Sequence, residues 1–220
     1  RLWRGDDAAY VDALLGNPNV ARTANLLRSV GKLRQGRSAE IKRFGKVLSV
    51  GIKEFALNFR QSDMVGYLVD RPQVSVIALV RRNSLARMIS SQMLDATGVV
   101  LVSNDRQEGR PERRQLRLDP ATVLADLEIV DAERAELETM AARLPAERVF
   151  RIEYEDFLAT SERTNDLLAR MQEFLGVPVV LPETRMRKIL PSDPLDTVEN
   201  AAEIREVIAA SRFSELLSAR

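Results

Sequence analysis

Val74 to Val80 reads VSVIALV, a β-branched apolar run of strand length. After Arg81, Arg82 and Asn83, apolar residues return at Leu85, Met88, Ile89, Met93 and Ala96, the spacing of one helical face. This stretch predicts a strand over 74–80 that feeds a helix ending near Gly98. Upstream, AAYVDALL predicts a helix over 8–15, stopped by Gly16-Asn17-Pro18-Asn19. Residues 20–41 are mostly helical, with Leu26, Leu27, Val30 and Leu33 on one face. VLSVGIKEF over 47–55 reads as a strand, 61–68 as a short helix, and Asp70-Arg71-Pro72 breaks the chain before the central run. Residues 99–117 are irregular and rich in Arg, the signature of a long loop.

Asp119-Pro120 signals a helix start, with Val123, Leu127, Val130, Leu137, Met140 and Leu144 following at helical spacing. VFRIEY over 149–154 predicts a strand. A helix from about 162 to 175 then turns Leu167, Leu168, Met171 and Phe174 inward, with Gly176 as its stop. After a Pro-rich break, 196–217 is again helical. Strand, helix, strand in this order implies a parallel sheet with right-handed crossovers, hence an α/β class.

The 220 residues suffice for one α/β domain with a core, and we read 1–220 as a single domain. A composition of 45% hydrophobic and 30% charged residues is that of a soluble globular protein, and no apolar run reaches membrane-spanning length. A cytoplasmic location is the default expectation. The net charge of +1 argues against broad electrostatic binding of nucleic acid. There is neither Cys nor His, which removes disulfides, thiolates, the commonest metal ligand and the commonest general base. No metal is expected. The chain opens Arg1-Leu2-Trp3 without Met, which leaves room for a leader or a first strand upstream.

The candidate chemistry gathers at the turn after residue 80. A strand entering a helix through a basic turn can hold an anion, because the helix N-terminus offers free N–H groups and arginine adds a planar fork. Arg82 and Ser90, eight residues apart, resemble the 3′-phosphate-binding pair of sulfotransferases that use 3′-phosphoadenosine 5′-phosphosulfate (PAPS). Ala96-Thr97-Gly98 is similar to the ending of this segment in bacterial carbohydrate and nodulation-type members. IEYEDF…LLARMQEFLGVPV, from 152 to 179, resembles the Tyr-Glu-Asp…Phe-Leu-Gly-x-Pro signature of the same family. Asn200, in Val-Glu-Asn, is similar to its C-terminal helix element.

The resemblance implies a three-layer fold, with a mostly parallel central sheet flanked by helices. It implies PAPS as donor and in-line transfer of a sulfuryl group to a hydroxyl on a small-molecule or glycan acceptor. Arg82 and Ser90 would take the 3′-phosphate, Tyr154 would lie at the adenine, and Arg187 and Lys188 are candidates for closing over a cofactor phosphate. A homodimer is compatible with this reading.

Two departures stand out. At the place of the family's 5′-phosphosulfate loop, only Arg4 of Arg4-Gly5-Asp6-Asp7 stays in register, and Asp is also a good helix cap. Where glycan sulfotransferases often carry Gly-Glu, this chain reads Ala24-Asn25, and Asn is no base at neutral pH. Glu54, beside Lys53 at the end of the predicted 47–55 strand, is then the carboxylate placed to act as base. Lys53 resembles the Lys of a family Gly-x-Lys element. Both residues also read as edge charges, and Glu155 and Asp156 as residues that fix a turn. The alternative to a transferase is a catalytically inactive module of the same fold that binds a nucleotide or a partner. A P-loop kinase is a third class, opposed by the missing Gly-x-x-x-x-Gly-Lys-Ser/Thr loop.

Overall fold

A computed structural model gives the fold. It describes residues 6–36, 47–64, 66–97, 102–103, 115–157, 159–181, 186–187 and 193–218.

Helix α1 (Asp7–Gly16) starts where Asp6 accepts from the Ala9 N–H at 2.6 Å. Helix α2 (Pro18–Arg34) starts on Asn17, with Pro18 in its first turn. It ends at Arg34, before Gly36 at φ +68°; the rest of the expected helix, 37–41, lies outside the described residues. Its Leu26, Leu27, Val30 and Leu33 are exposed.

The expected strand over 47–55 is irregular chain instead. A strand needs a partner ladder, and among the described residues this segment has none. Its far end is drawn into a helix start: the Glu54 carboxylate accepts from the Phe55 N–H at 2.9 Å and from the Asn58 amide. The helix expected over 61–68 is correspondingly displaced; helix α3 runs from Ala56 to Gln61 and turns follow it.

Strand β1 (Val76–Val80) pairs in parallel with β3 (Val149–Glu153), with Val76 opposite Val149 and Val80 opposite Glu153. Between them lie α4 (Ser84–Thr97), β2 (Val102–Ser103) and α5 (Val123–Ala142). Asp119 accepts from the Ala121 N–H at 2.9 Å, so the Asp-Pro signal makes a turn and α5 proper starts later, at Val123. After β3 come α6 (Tyr154–Phe157), α7 (Ser161–Phe174), β4 (Met186–Arg187) and α8 (Ala201–Ala209). Gly176 at φ +65° closes α7, as only a residue free of a Cβ does without strain. β2 and β4 form a second, antiparallel pair. The class is α/β, helix-rich, with a small parallel sheet. Among the described residues no helix is long and apolar enough to cross a membrane.

Among the described residues, two hydrophobic clusters join part of these elements. The larger packs Leu85, Met88 and Ile89 of α4 against Val123 and Leu127 of α5 and Ile204 and Ile208 of α8. Asn200 ties its edge, since its amide exchanges two hydrogen bonds with the Leu118 backbone (3.1 and 2.9 Å). The smaller core joins Val11 of α1 to Met64, Tyr67, Leu68 and Leu144.

At its rim Arg71 grips Asp12 with both arms of its fork (2.9 and 2.7 Å), and the Tyr67 hydroxyl donates to the same carboxylate at 2.7 Å. The Arg71 bond, and then the Tyr67 bond, lower the Asp12 carboxyl from 3.8 to about 2. Burial, and then Asp12, push the Tyr67 phenol up to about 12. A carboxyl depressed by folding stabilises the fold above its unfolded value and loses that contribution as pH falls. The Asp12 contribution is therefore complete above about pH 4 and fades as pH falls through about 2. The raised Tyr67 contributes below pH 10 and loses it as pH rises through about 12. Urea midpoints measured from pH 5 to pH 2 should fall less steeply in Asp12→Asn than in the parent chain. Parallel slopes would remove this staple from the acid response.

Candidate functional site

Because β1 and β3 run in parallel register, their C-terminal ends lie side by side. Val80 opposite Glu153 puts Arg81-Arg82-Asn83 next to Tyr154-Glu155-Asp156. This is the edge where open α/β sheets bind ligands. The two segments that carry the strongest sequence signals therefore meet, although more than seventy residues separate Arg82 from Asp156.

The two arginines part company there. Arg82 turns to carboxylates: its Nε lies 2.9 Å from Glu153 and 4.0 Å from Glu155, and its Nη2 donates to Asp156 at 3.1 Å. Asp156 also meets Arg163 of α7 at 3.6 Å. Arg81 lays its guanidinium over the Tyr154 ring, 4.6 Å from the centroid. Its Nε is buried and has no hydrogen-bond partner among the described residues. Burial pulls the Arg81 guanidinium below its ordinary pKa; Tyr154 and Glu155 oppose that shift and Arg87 adds to it.

The start of α4 is already occupied. Glu155 accepts from the Arg82 and Asn83 backbone N–H groups at 3.1 and 3.2 Å. The Asn83 side chain accepts from the Ala86 N–H at 2.9 Å and donates to the Leu216 carbonyl at 3.3 Å. A carboxylate thus satisfies two donors of the turn just before α4, and offsets the positive end of the helix. Ser84 is buried and donates to Asp131 of α5 at 3.2 Å, while Arg87 reaches the Val130 carbonyl and Glu133, so α4 is bolted to α5.

Arg82 and Tyr154 thus stand at one edge. Ser90 sits half-buried two turns into α4, and among the described residues no hydrogen bond joins it to the Arg82 cluster. Lys53 and Glu54 lie on the exposed chain before α3, Lys53 at 6.0 Å from the Phe55 ring and Glu54 at the helix start, with no described contact to the strand-end cluster. Arg187 falls on β4, with its side chain outside what is described, and Arg4 and Lys188 lie outside the described residues altogether.

Sequence reasoning passed over Arg81 as a ligand group. The turn carries two adjacent arginines beyond the end of β1, and nothing in that run alone tells them apart. Which of them meets the acids depends on the pairing of β1 with β3, which neither segment reveals alone. The arrangement can hold a planar cation against a ring beside an acid-rich cluster. Compared with protein-family models, curated proteins and solved structures, the chain shows no match to any of them.

Proposed function

We propose that this chain is a sulfotransferase-type domain that binds PAPS at the ends of β1 and β3 and passes its sulfuryl group to a hydroxyl of a carbohydrate or similar small acceptor. The supporting observation is that Arg81-Arg82-Asn83 and Tyr154-Glu155-Asp156 meet at the C-terminal ends of paired parallel strands. These segments carry the family resemblance independently of each other. On this reading the sheet belongs to the three-layer, mostly parallel architecture of that family. The donor set fits an anion at Arg81, which has no ion pair among the described residues, and not at the turn before α4, where Glu155 already sits on the Arg82 and Asn83 N–H groups.

In the transfer, the acceptor oxygen attacks sulfur in line, the bond from sulfur to the phosphate oxygen breaks, and the nucleotide leaves as the 3′,5′-bisphosphate. The hydroxyl proton passes to a base, for which this reading assigns Glu54, with Lys53 beside it to stabilise charge. Positioning and electrostatics supply the rate, as in phosphoryl transfer.

A second reading, a nucleotide- or partner-binding module without catalysis, is favoured by the Glu54 bonds to Phe55 and Asn58, which already tie that carboxylate to the chain at the start of α3. Glu54→Gln separates the two. As base, its loss should cut turnover by about 10²–10⁴ and leave bisphosphate affinity intact. As a local tie, its loss should lower stability by about 0.5–1 kcal/mol, the worth of an ordinary hydrogen bond, and change nothing else.

The nucleotide site itself is tested by calorimetry with adenosine 3′,5′-bisphosphate and AMP. The bisphosphate should bind at least about tenfold more tightly, the worth of a charged hydrogen bond to its extra phosphate. Equal affinities would remove the 3′-phosphate from the recognition.

A further inference from the structure

We propose that Arg81, rather than Arg82, is the arginine that grips the phosphate of the bound nucleotide, with Tyr154 as the platform that holds its guanidinium in place. This rests on the nucleotide reading above, and it moves the anion contact to a residue outside the Arg82…Ser90 pair.

The two side chains differ in what already surrounds them. Arg82 is half exposed and faces Glu153, Glu155 and Asp156. A phosphate brought to it would meet three negative charges and would have to displace Glu155 from the backbone N–H groups of Arg82 and Asn83. Arg81 has no carboxylate within ion-pair distance among the described residues. Its described contact is the Tyr154 ring, at 4.6 Å. Its Nε is sealed from solvent without an acceptor, the one such side-chain atom among the described residues.

A half-buried cation with one sealed N–H and no ion pair among the described residues is costly, and folded proteins rarely keep one without a use. Stacking on a ring constrains a guanidinium's plane but leaves its in-plane N–H edge open, the geometry that suits two phosphate oxygens. A dianionic phosphate would supply the ion pair that Arg81 lacks among the described residues. The strand-end position also explains the economy of the cluster: the acids of β3 and α6 neutralise Arg82 and fix the start of α4, so that one cation is left for the ligand.

Titration with adenosine 3′,5′-bisphosphate of the parent chain, Arg81→Gln, Arg81→Lys and Arg82→Gln decides this, each protein first shown to unfold cooperatively. Arg81→Gln should weaken binding by at least about tenfold. Arg81→Lys keeps the charge without the planar fork and should bind between the two; it decides the matter if Arg81→Gln does not fold. Arg82→Gln should unfold at lower temperature yet bind within about threefold of the parent. Full affinity in Arg81→Gln, or in Arg81→Lys where it stands in, with loss in Arg82→Gln overturns this proposal and leaves the nucleotide reading standing. A parent chain that binds neither the bisphosphate nor AMP overturns the nucleotide reading, and this proposal with it.

Discussion

Leu127→Ala should lower the free energy of unfolding by about 2.7–5 kcal/mol, the range for emptying a leucine site in a packed core. Leu127 is 0% exposed and lies at the centre of the larger core, between α4 and α8. Truncation forfeits the burial of its side chain and leaves a cavity that the helices around it fill incompletely. For a chain of this size the loss corresponds to about 5–20 °C in Tm. Ile129, two residues along the same helix, is 61% exposed and supplies the control. Ile129→Ala should change stability by less than about 0.5 kcal/mol. Calorimetric unfolding of the two variants measures the contrast, and equal losses would contradict the packing of α5 described here. The effect also reaches the site, because Leu85, Met88 and Ile89 of α4 rest on the same core and α4 carries Asn83 at its start.

Arg148→Met should cost about 2–4 kcal/mol, from several charge-assisted hydrogen bonds to backbone. Arg148 closes the short helical turn Ala146–Arg148 that leads into β3. Its Nη2 donates to the carbonyls of Leu68 (2.7 Å), Arg71 (2.6 Å) and Val74 (2.9 Å), and its Nε donates to Val74 as well (3.2 Å). One side chain on the way into β3 therefore organises the chain on the way into β1. Methionine keeps the aliphatic stem and removes every donor, so the three carbonyls must find water or move. Arg148→Lys retains the charge but not the fork, and should recover part of the loss. Urea denaturation reads both variants. A loss below about 0.5 kcal/mol in Arg148→Met would show that these carbonyls are solvated without Arg148.

How legible the fold was follows from which signals are local. The β-branched run before Arg81 and the VFRIEY run gave β1 and β3 within a residue or two, because strand propensity and apolar runs are local properties. The Thr160 cap and Gly176 likewise bracket α7 almost where periodicity places it. The 47–55 run reads as a strand equally well and forms none, since pairing depends on a partner edge that its own residues do not encode. Of the expected site residues, the structure brings two together and gives Ser90, Lys53 and Glu54 no described contact with them. Arg82 and Tyr154 do reach one edge. That Glu155 holds the turn before α4, and that Arg82 spends its charge on Glu153 and Asp156, depends on the register between segments more than seventy residues apart.

Binding at the strand ends is tested most directly by a crystal structure of the chain with adenosine 3′,5′-bisphosphate. The expected result is a phosphate within about 2.7–3.2 Å of the terminal nitrogens of Arg81, at the ends of β1 and β3, with Arg82 still on its carboxylates. A nucleotide seated elsewhere, such as the groove that Ala56, Arg60, Glu136 and Met140 line between α3 and α5, would contradict it. So would a phosphate held by Arg82 with Arg81 untouched.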